Sequence, residues 1–421
     1  MILHLDLDSF FVSAERIKDR TLLGKEVAVG GRSDQFIFSK EHQSRKAMIA
    51  NKGAFVPSLF FSKDKNKDTF FIDKDGRTRG IIVTSSYEAR AYGVKTGMSI
   101  KEAISLCPPL IVLPPNHILY HTLSFKLKYF LKKTFPKVEQ YSIDEFFADS
   151  SGWVEGDKVY DFAKMVKQEI KKELGLPISI GIARSKWIAK LATAFAKPNG
   201  IILIKDEEIY DFIKDIPIER FPGIGNSWRK KLSLYKKRTL GDIYRSKTLL
   251  YSYKNGGKEL YDKVCGLDND TVEEKKDRKS IGISRTFDPI IDREEIKRRI
   301  FILSRHLSFI ASKTKQKPST IFLHIKYEFN ERVKKHKSYN RLFSEYFLKN
   351  EFIKLFEEID RYKNSKIIRL SLSLSNFNST KNQIYSLLDY ENDKKQKSLY
   401  QNIDKLREKY GIDILKHGIE L

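Results

Sequence analysis

"MILHLDLDSFFVSAE", residues 1–15, is an apolar run that ends on two acids, Asp6 and Asp8, set beside Phe10 and Phe11. Its beginning reads as a buried strand, and a buried strand ends on carboxylates only where something positive meets them. A metal ion is one such partner. The following "FFVSAERIKDR" has helical spacing, and "EVAVGG" returns as a strand. A second acidic pair, Asp144 and Glu145, lies in "VEQYSIDEFFADSSG", where alternation on both sides predicts a strand, a tight connection and another strand. Neighbouring strand residues face opposite ways, so a hairpin end is what brings both carboxylates to one ion. Three acids at strand termini, Asp6, Asp144 and Glu145, suit hard divalent cations with substrate phosphates completing the shell. Solvated turn acids fit the same positions taken singly.

The rest of the chain narrows the chemistry. With 421 residues, 41% of them hydrophobic and 12% aromatic, the chain folds into about two to four domains. Its 79 Lys and Arg against 54 Asp and Glu give a net charge of +25, scattered along the chain. That balance points to a polyanionic partner, nucleic acid ahead of a membrane surface, although a solvated basic surface has the same composition. Two cysteines, Cys107 and Cys265, exclude a disulfide framework and a zinc cluster. Neither a signal-peptide pattern nor a long apolar span is present in the sequence. The expectation is a soluble chain of a reducing cytoplasm with no membrane role.

"GIIVTSSYEARAYGV" reads as a strand running through hydroxyls into a helix, with Tyr87 and Arg90 sharing a face near the helix N-terminus. A phosphate suits that place, as does a plain N-cap with a surface Arg. "VYDFAKMVKQEIKKELG" predicts an amphipathic helix, "PISIGIA" a strand, and "SKWIAKLATAFAKPNG" a helix stopped by Pro198 and Gly200. In "FPGIG", Gly223 and Gly225 form a tight turn whose backbone N–H groups are open to a phosphate, with Arg229, Lys230 and Lys231 just beyond. This resembles a helix-hairpin-helix that grips a DNA backbone, though a turn between helices fits too. "DNDTVEEKKDRKS" reads as a linker. A basic second α+β unit, strand, long helix, strand, helix, strand, ends near Phe377, and a polar tail with a terminal helix follows. The Lys-, Asp- and Phe-rich stretch at about 32–80 reads as an insertion.

"LDLDSFFVSAE", "SYEARAYGVKTGM", "YSIDEFFAD", "SKWIAKLATAFAKPNG", "FPGIG" and "RKSIG" stand in the order found in Y-family DNA polymerases, the translesion enzymes, and across residues 1 to 282 the chain resembles that family. The resemblance implies an α+β right-hand polymerase: palm at 1–10 and 116–204, fingers at 11–115, helix-hairpin-helix thumb at 205–267, linker at 268–280, C-terminal α+β little finger at 281–377, and a tail at 378–421. It implies that Asp6, Asp144, Glu145 and the Leu7 carbonyl hold two Mg²⁺ ions. Asp8 matches an acid that is not a principal ligand. Phe11 matches the steric gate against a ribose 2′-OH, with Phe10 beside it along the sugar pocket. Tyr87, Arg90 and Lys197 match triphosphate contacts, with Lys186 and Lys190 as further candidates. Ser9, Phe146 and Ala148 depart from the usual family residues, which alters the pocket.

In the tail, "QIYSLL" resembles a bacterial sliding-clamp motif through Gln383, Leu387 and Leu388, without the usual closing Phe; a hexad packed on the protein itself is the other reading. The implied partners are primer-template DNA, a dNTP and a sliding clamp, for a monomer associated with a bacterial nucleoid. The implied function is low-fidelity, template-directed translesion synthesis without proofreading. A catalytically silent DNA- and clamp-binding homologue and a template-free nucleotidyltransferase are the rival readings.

Overall fold

The computed structural model describes residues 1–32, 35–38, 46–48, 59–61, 70–72, 76–154, 156, 158–274, 278–377 and 386–421. The fold is α+β and divides into two compact units. The first holds residues 1–31 and 81–274; the second holds the described residues of 32–80 and everything described from 278 onward.

At the centre of the first unit lies the Ile2–Leu7 strand, antiparallel to Ile178–Ala183 on one side and Glu145–Asp149 on the other. Ile201–Leu203 and Lys137–Gln140 complete the five strands. The opening sequence explains this placement. Leu3, Leu5 and Leu7 enter a core shared with Leu123, Leu127 and Leu131 of the His117–Thr134 helix and with Val159, Ala163, Val166 and Ile170 of the Lys158–Leu174 helix. Each fully buried leucine contributes about 1.5–3 kcal/mol. The alternate residues Ile2, His4 and Asp6 face the other way, as the period of a strand requires. There Ile2 packs with Phe147, and His4 meets Thr193 of the Lys186–Ala196 helix through Nδ1 at 2.9 Å. That helix lies so close to the sheet that a Cβ at Gly181 would come within 2.1 Å of the Ala189 carbonyl oxygen. Only glycine permits the approach, which brings Lys190 and Lys197 to the end of the central strands, beside Glu145 and Asp6.

A three-stranded sheet, Ile81–Ser85, Val27–Gly31 and Ile111–Leu113, leads into the Tyr87–Ala91 helix, whose cap Ser86 accepts from the Ala89 N–H. Between Phe221 and Gly225 the chain turns from a short 3-10 helix, Ile218–Arg220, into the Asn226–Ser233 helix. Gly223 has φ +97° there with open space about it, a conformation that costs other residues strain. Residues 268–274, expected as a linker, dock along the first unit: Val272 is buried with Ile2 and Phe147, and the Glu273 N–H donates to Glu139.

The second unit is an antiparallel sheet ordered Ser280–Ile290, Ile367–Phe377, Pro318–Tyr327 and Arg332–Ser338, packed on the Arg293–Lys313 and Glu345–Ile359 helices. The Arg332–Ser338 strand is additional to the sequence expectation. It is an edge strand, "RVKKHKS", nearly all exposed, so it lacks the apolar alternation that marks half-buried strands. Ile37 and Phe38, from the stretch read as an insertion, are buried in this unit's core, with the Arg299 guanidinium 4.3 Å from the Phe38 ring.

The region read as a polar tail holds a 24-residue helix, Leu387–Tyr410, and a 3-10 turn, Gly418–Glu420. Buried ions attach it: Arg305 to Glu420 (2.7 Å) and Asp413 (3.0 Å), Lys349 to Glu420, and Arg407 to Glu345. No helix among the described residues is long and apolar enough to cross a membrane.

Candidate active site

Asp6 stands opposite Glu145 in strand register, and Asp144 immediately precedes Glu145 in the hairpin turn. The turn is built by Ser142, whose Oγ accepts from the backbone N–H of Asp144 (3.2 Å) and of Glu145 (3.1 Å) and donates to the Asp144 carboxylate. The Leu7 N–H donates to the Asp144 carbonyl at 3.1 Å, which locks the strand end to the turn. Two ammonium groups flank the acids. Lys197 Nζ lies 2.7 Å from Asp6 Oδ1, and Lys190 Nζ lies 2.7 Å from Glu145 Oε2 while standing 4.5 Å over the Tyr141 ring.

Burial pushes the Asp6 carboxyl up to about 7; Lys197 opposes that rise, and the charges of Asp144 and Glu145 add to it. Burial likewise raises Asp144. His4, beneath them, is held well below its ordinary value by burial and by Lys190, Lys197 and Lys186. Among the described residues no three His, Cys, Asp or Glu side chains form a ready-made metal shell. The donor set nevertheless suits a hard divalent cation: it is all oxygen, and its carboxylates disfavour one another's charge until a cation neutralises them.

A pH dependence follows. The Asp6 carboxyl titrates near 3.8 when unperturbed and about 7 when folded, so the folded state holds the extra proton between those values. The chain without a divalent ion therefore loses stability as pH rises through that window. A divalent cation held by these acids would require Asp6 ionised, so the expected result is that such an ion raises the melting temperature more at about pH 8 than at about pH 6. Thermal melts with and without Mg²⁺ at both values check this; an equal rise at each pH contradicts it.

Phe10, Phe11, Tyr87 and Arg90 lie beside this end of the sheet. Phe10 is buried, whereas Phe11 is half-buried and stacked on Tyr120 at 4.2 Å with planes 10° apart. Tyr120 is held by donation to Glu15 at 2.8 Å. Nothing local in the sequence pairs Phe11 with Tyr120, because the contact spans 109 positions. Ser9 adopts φ 44° and donates to the Ser85 carbonyl, which joins this end to the small sheet. Tyr87 donates to Asp8 Oδ1 at 3.2 Å, and the exposed Arg90 guanidinium lies 4.7 Å over the Tyr87 ring. Burial and the Asp8 charge raise the Tyr87 phenol, so it remains a donor.

Lys186 is separated from this group: it is buried against Glu139 and the Phe147 ring. Gly223 and Gly225 lie in their turn before the Asn226–Ser233 helix, among residues that include exposed Arg229 and Lys230. Gln383 lies outside the described residues. Leu387 begins the C-terminal helix, and Leu388 in its first turn is 98% exposed.

The impB/mucB/samB family model matches residues 5–194, and the model of that family's C-terminal domain matches residues 278–387. The chain is 29% identical to a DNA polymerase IV of Clostridium kluyveri over 99% of this chain and 97% of that protein. It is 30% identical to one of Streptococcus pyogenes over 77% and 80%. Among solved structures, a Dbh–Dpo4 Y-family polymerase chimera matches with a TM-score of 0.70 at 24% identity, covering 89% of this chain and 98% of that one. An insertion ternary complex of Dbh DNA polymerase matches with a TM-score of 0.57 at 23% identity, over 89% and 98%. These structural likenesses concern the fold.

Proposed function

The chain belongs to the Y family of DNA polymerases and is a DNA-directed DNA polymerase; from that premise we propose that it performs translesion synthesis at the Asp6, Asp144 and Glu145 site. The observation that carries this reading is the register of Asp6 against Glu145 at a hairpin end, with an ammonium on each. Such a site accumulates negative charge for cations and keeps positive groups beside it for a polyphosphate.

Asp6, Asp144, Glu145 and the Leu7 carbonyl would hold two Mg²⁺ ions. When bound, these favour the ionised primer 3′-hydroxyl and neutralise charge on the departing pyrophosphate. The chain's own residues supply the positioning. Lys197 and Arg90 face the triphosphate as cations, and Tyr87, its hydroxyl given to Asp8, stands with them and carries Arg90 over its ring. Phe11, backed by Tyr120, lies beneath the sugar with Phe10 behind it. Rates then come chiefly from holding the 3′-oxygen in line with the α-phosphorus and from fixed positive charge.

In this reading the Ile2–Leu7 sheet is the palm, the region around the small sheet the fingers, the Gly223–Gly225 turn part of a thumb contacting DNA phosphates, and the 281–377 sheet the little finger. The charge of +25 supports extensive backbone contact. We also assign Leu388, fully exposed, with Leu387 and Gln383 to contact with a sliding clamp.

The test uses a primer ending one base before an abasic residue. The account expects insertion opposite the gap and extension beyond it. Arrest at the abasic position, with normal copying of an intact template, removes the translesion assignment and leaves the polymerase.

A further inference from the structure

Asp8 is a buried carboxylate, 2% exposed, which the site chemistry above leaves without a task. Three donor groups from three separate segments converge on it. Ser179 Oγ lies 2.9 Å from both of its oxygens, the Asn199 backbone N–H donates to Oδ2 at 2.7 Å, and Tyr87 donates to Oδ1 at 3.2 Å. The Asp8 N–H itself is tied to the Pro177 carbonyl at 3.0 Å, so the acid cannot drift. Burying a carboxylate is tolerable only when donors replace water, and here two of the three donors come from the places that carry the triphosphate candidates.

One is the tip of the Tyr87–Ala91 helix. The other is the turn after the Lys186–Ala196 helix, where Asn199 takes φ 55° and its carbonyl accepts from Lys167. Lys197 lies two residues before that pinned amide and meets Asp6. Asp8 thus joins Tyr87 to the Lys197 turn across one carboxylate.

We propose that Asp8 is a positioning residue for the nucleotide, setting Tyr87, which carries the Arg90 guanidinium over its ring, and Lys197 at a fixed separation so that the cations of both segments engage the triphosphate together. The proposal rests on the triphosphate reading of those side chains. It places Asp8 outside the cation shell and predicts that its loss affects nucleotide capture more than the chemical step.

Single-nucleotide insertion kinetics on the full chain test it. Asp8→Ala raises the KM for dNTP by about tenfold or more, the scale of a lost charged hydrogen bond, while kcat falls by much less. Asp8→Asn recovers most of the loss, because its amide oxygen accepts from Asn199 and its NH2 turns to the Tyr87 and Ser179 oxygens. Tyr87→Phe raises KM in the wild type but adds little in the Asp8→Ala background, since the hydroxyl there has already lost its anchor.

An unchanged KM in Asp8→Ala, a fall confined to kcat, or fully additive effects of Asp8→Ala and Tyr87→Phe overturns the proposal. If Asp8→Ala does not fold, Asp8→Leu, close to Asp in shape but unable to accept a hydrogen bond, takes its place in the same cycle with Tyr87→Phe and decides by the same criterion of non-additive KM. No insertion by the folded wild type would instead refute the underlying polymerase site, which separates the two failures.

Discussion

Asp6→Asn combined with Glu145→Gln lowers nucleotide insertion by about a thousandfold or more while the protein stays folded and keeps its DNA affinity. The two amides match the carboxylates in shape, so the hairpin and the strand register survive. What disappears is the charge that a divalent cation needs. Folding is expected to suffer little, because burial already opposes ionised Asp6, and a neutral side chain removes that penalty. Lys197 and Lys190, each partly exposed, regain water when their partners become amides. The variant therefore pairs lost activity with a melting temperature near or above that of the wild type. Single-turnover insertion alongside a thermal melt reads both quantities; insertion within about tenfold of wild type places the chemistry elsewhere.

Phe11→Ala raises incorporation of ribonucleotides relative to deoxynucleotides by about a hundredfold, the worth of a steric clash of a few kcal/mol. The reason lies behind the ring. Phe11 stacks on Tyr120, and Tyr120 is fastened to Glu15, so the phenyl group has no room to retreat from a 2′-hydroxyl. Removing the ring opens that volume without touching the acids. Competition between dNTP and rNTP in single-nucleotide insertion measures the ratio, and an unchanged ratio takes Phe11 out of the gate.

The parts of this molecule that the sequence discloses are those whose physics is local. "MILHLDLD" alternates so that three leucines fill one face while Ile2, His4 and Asp6 take the other, and the hairpin around Asp144 announces itself by flanking alternation. Ser86 before Tyr87 reads as a cap and serves as one. What stays hidden depends on distant partners. The Arg332–Ser338 strand has almost no apolar face, so only its pairing with Pro318–Tyr327 defines it. The C-terminal helix reads as polar because the groups that anchor it are charged: Arg407 is buried against Glu345 and Asp393 meets Arg341, both partners far upstream. Lys186 has the appearance of an active-site cation until Glu139 is found beside it. Asp8 is the second acid of an obvious pair, yet its partners at 87, 179 and 199 are invisible in the sequence around it.

The most direct measurement is insertion of a single nucleotide onto a primer, opposite each of the four template bases in turn, with Mg²⁺ present and with it chelated. The account predicts that the template base selects the nucleotide, that chelation stops the reaction, and that restoring Mg²⁺ restores it. Nucleotide addition that ignores the template, or addition that persists in the chelator, would contradict it.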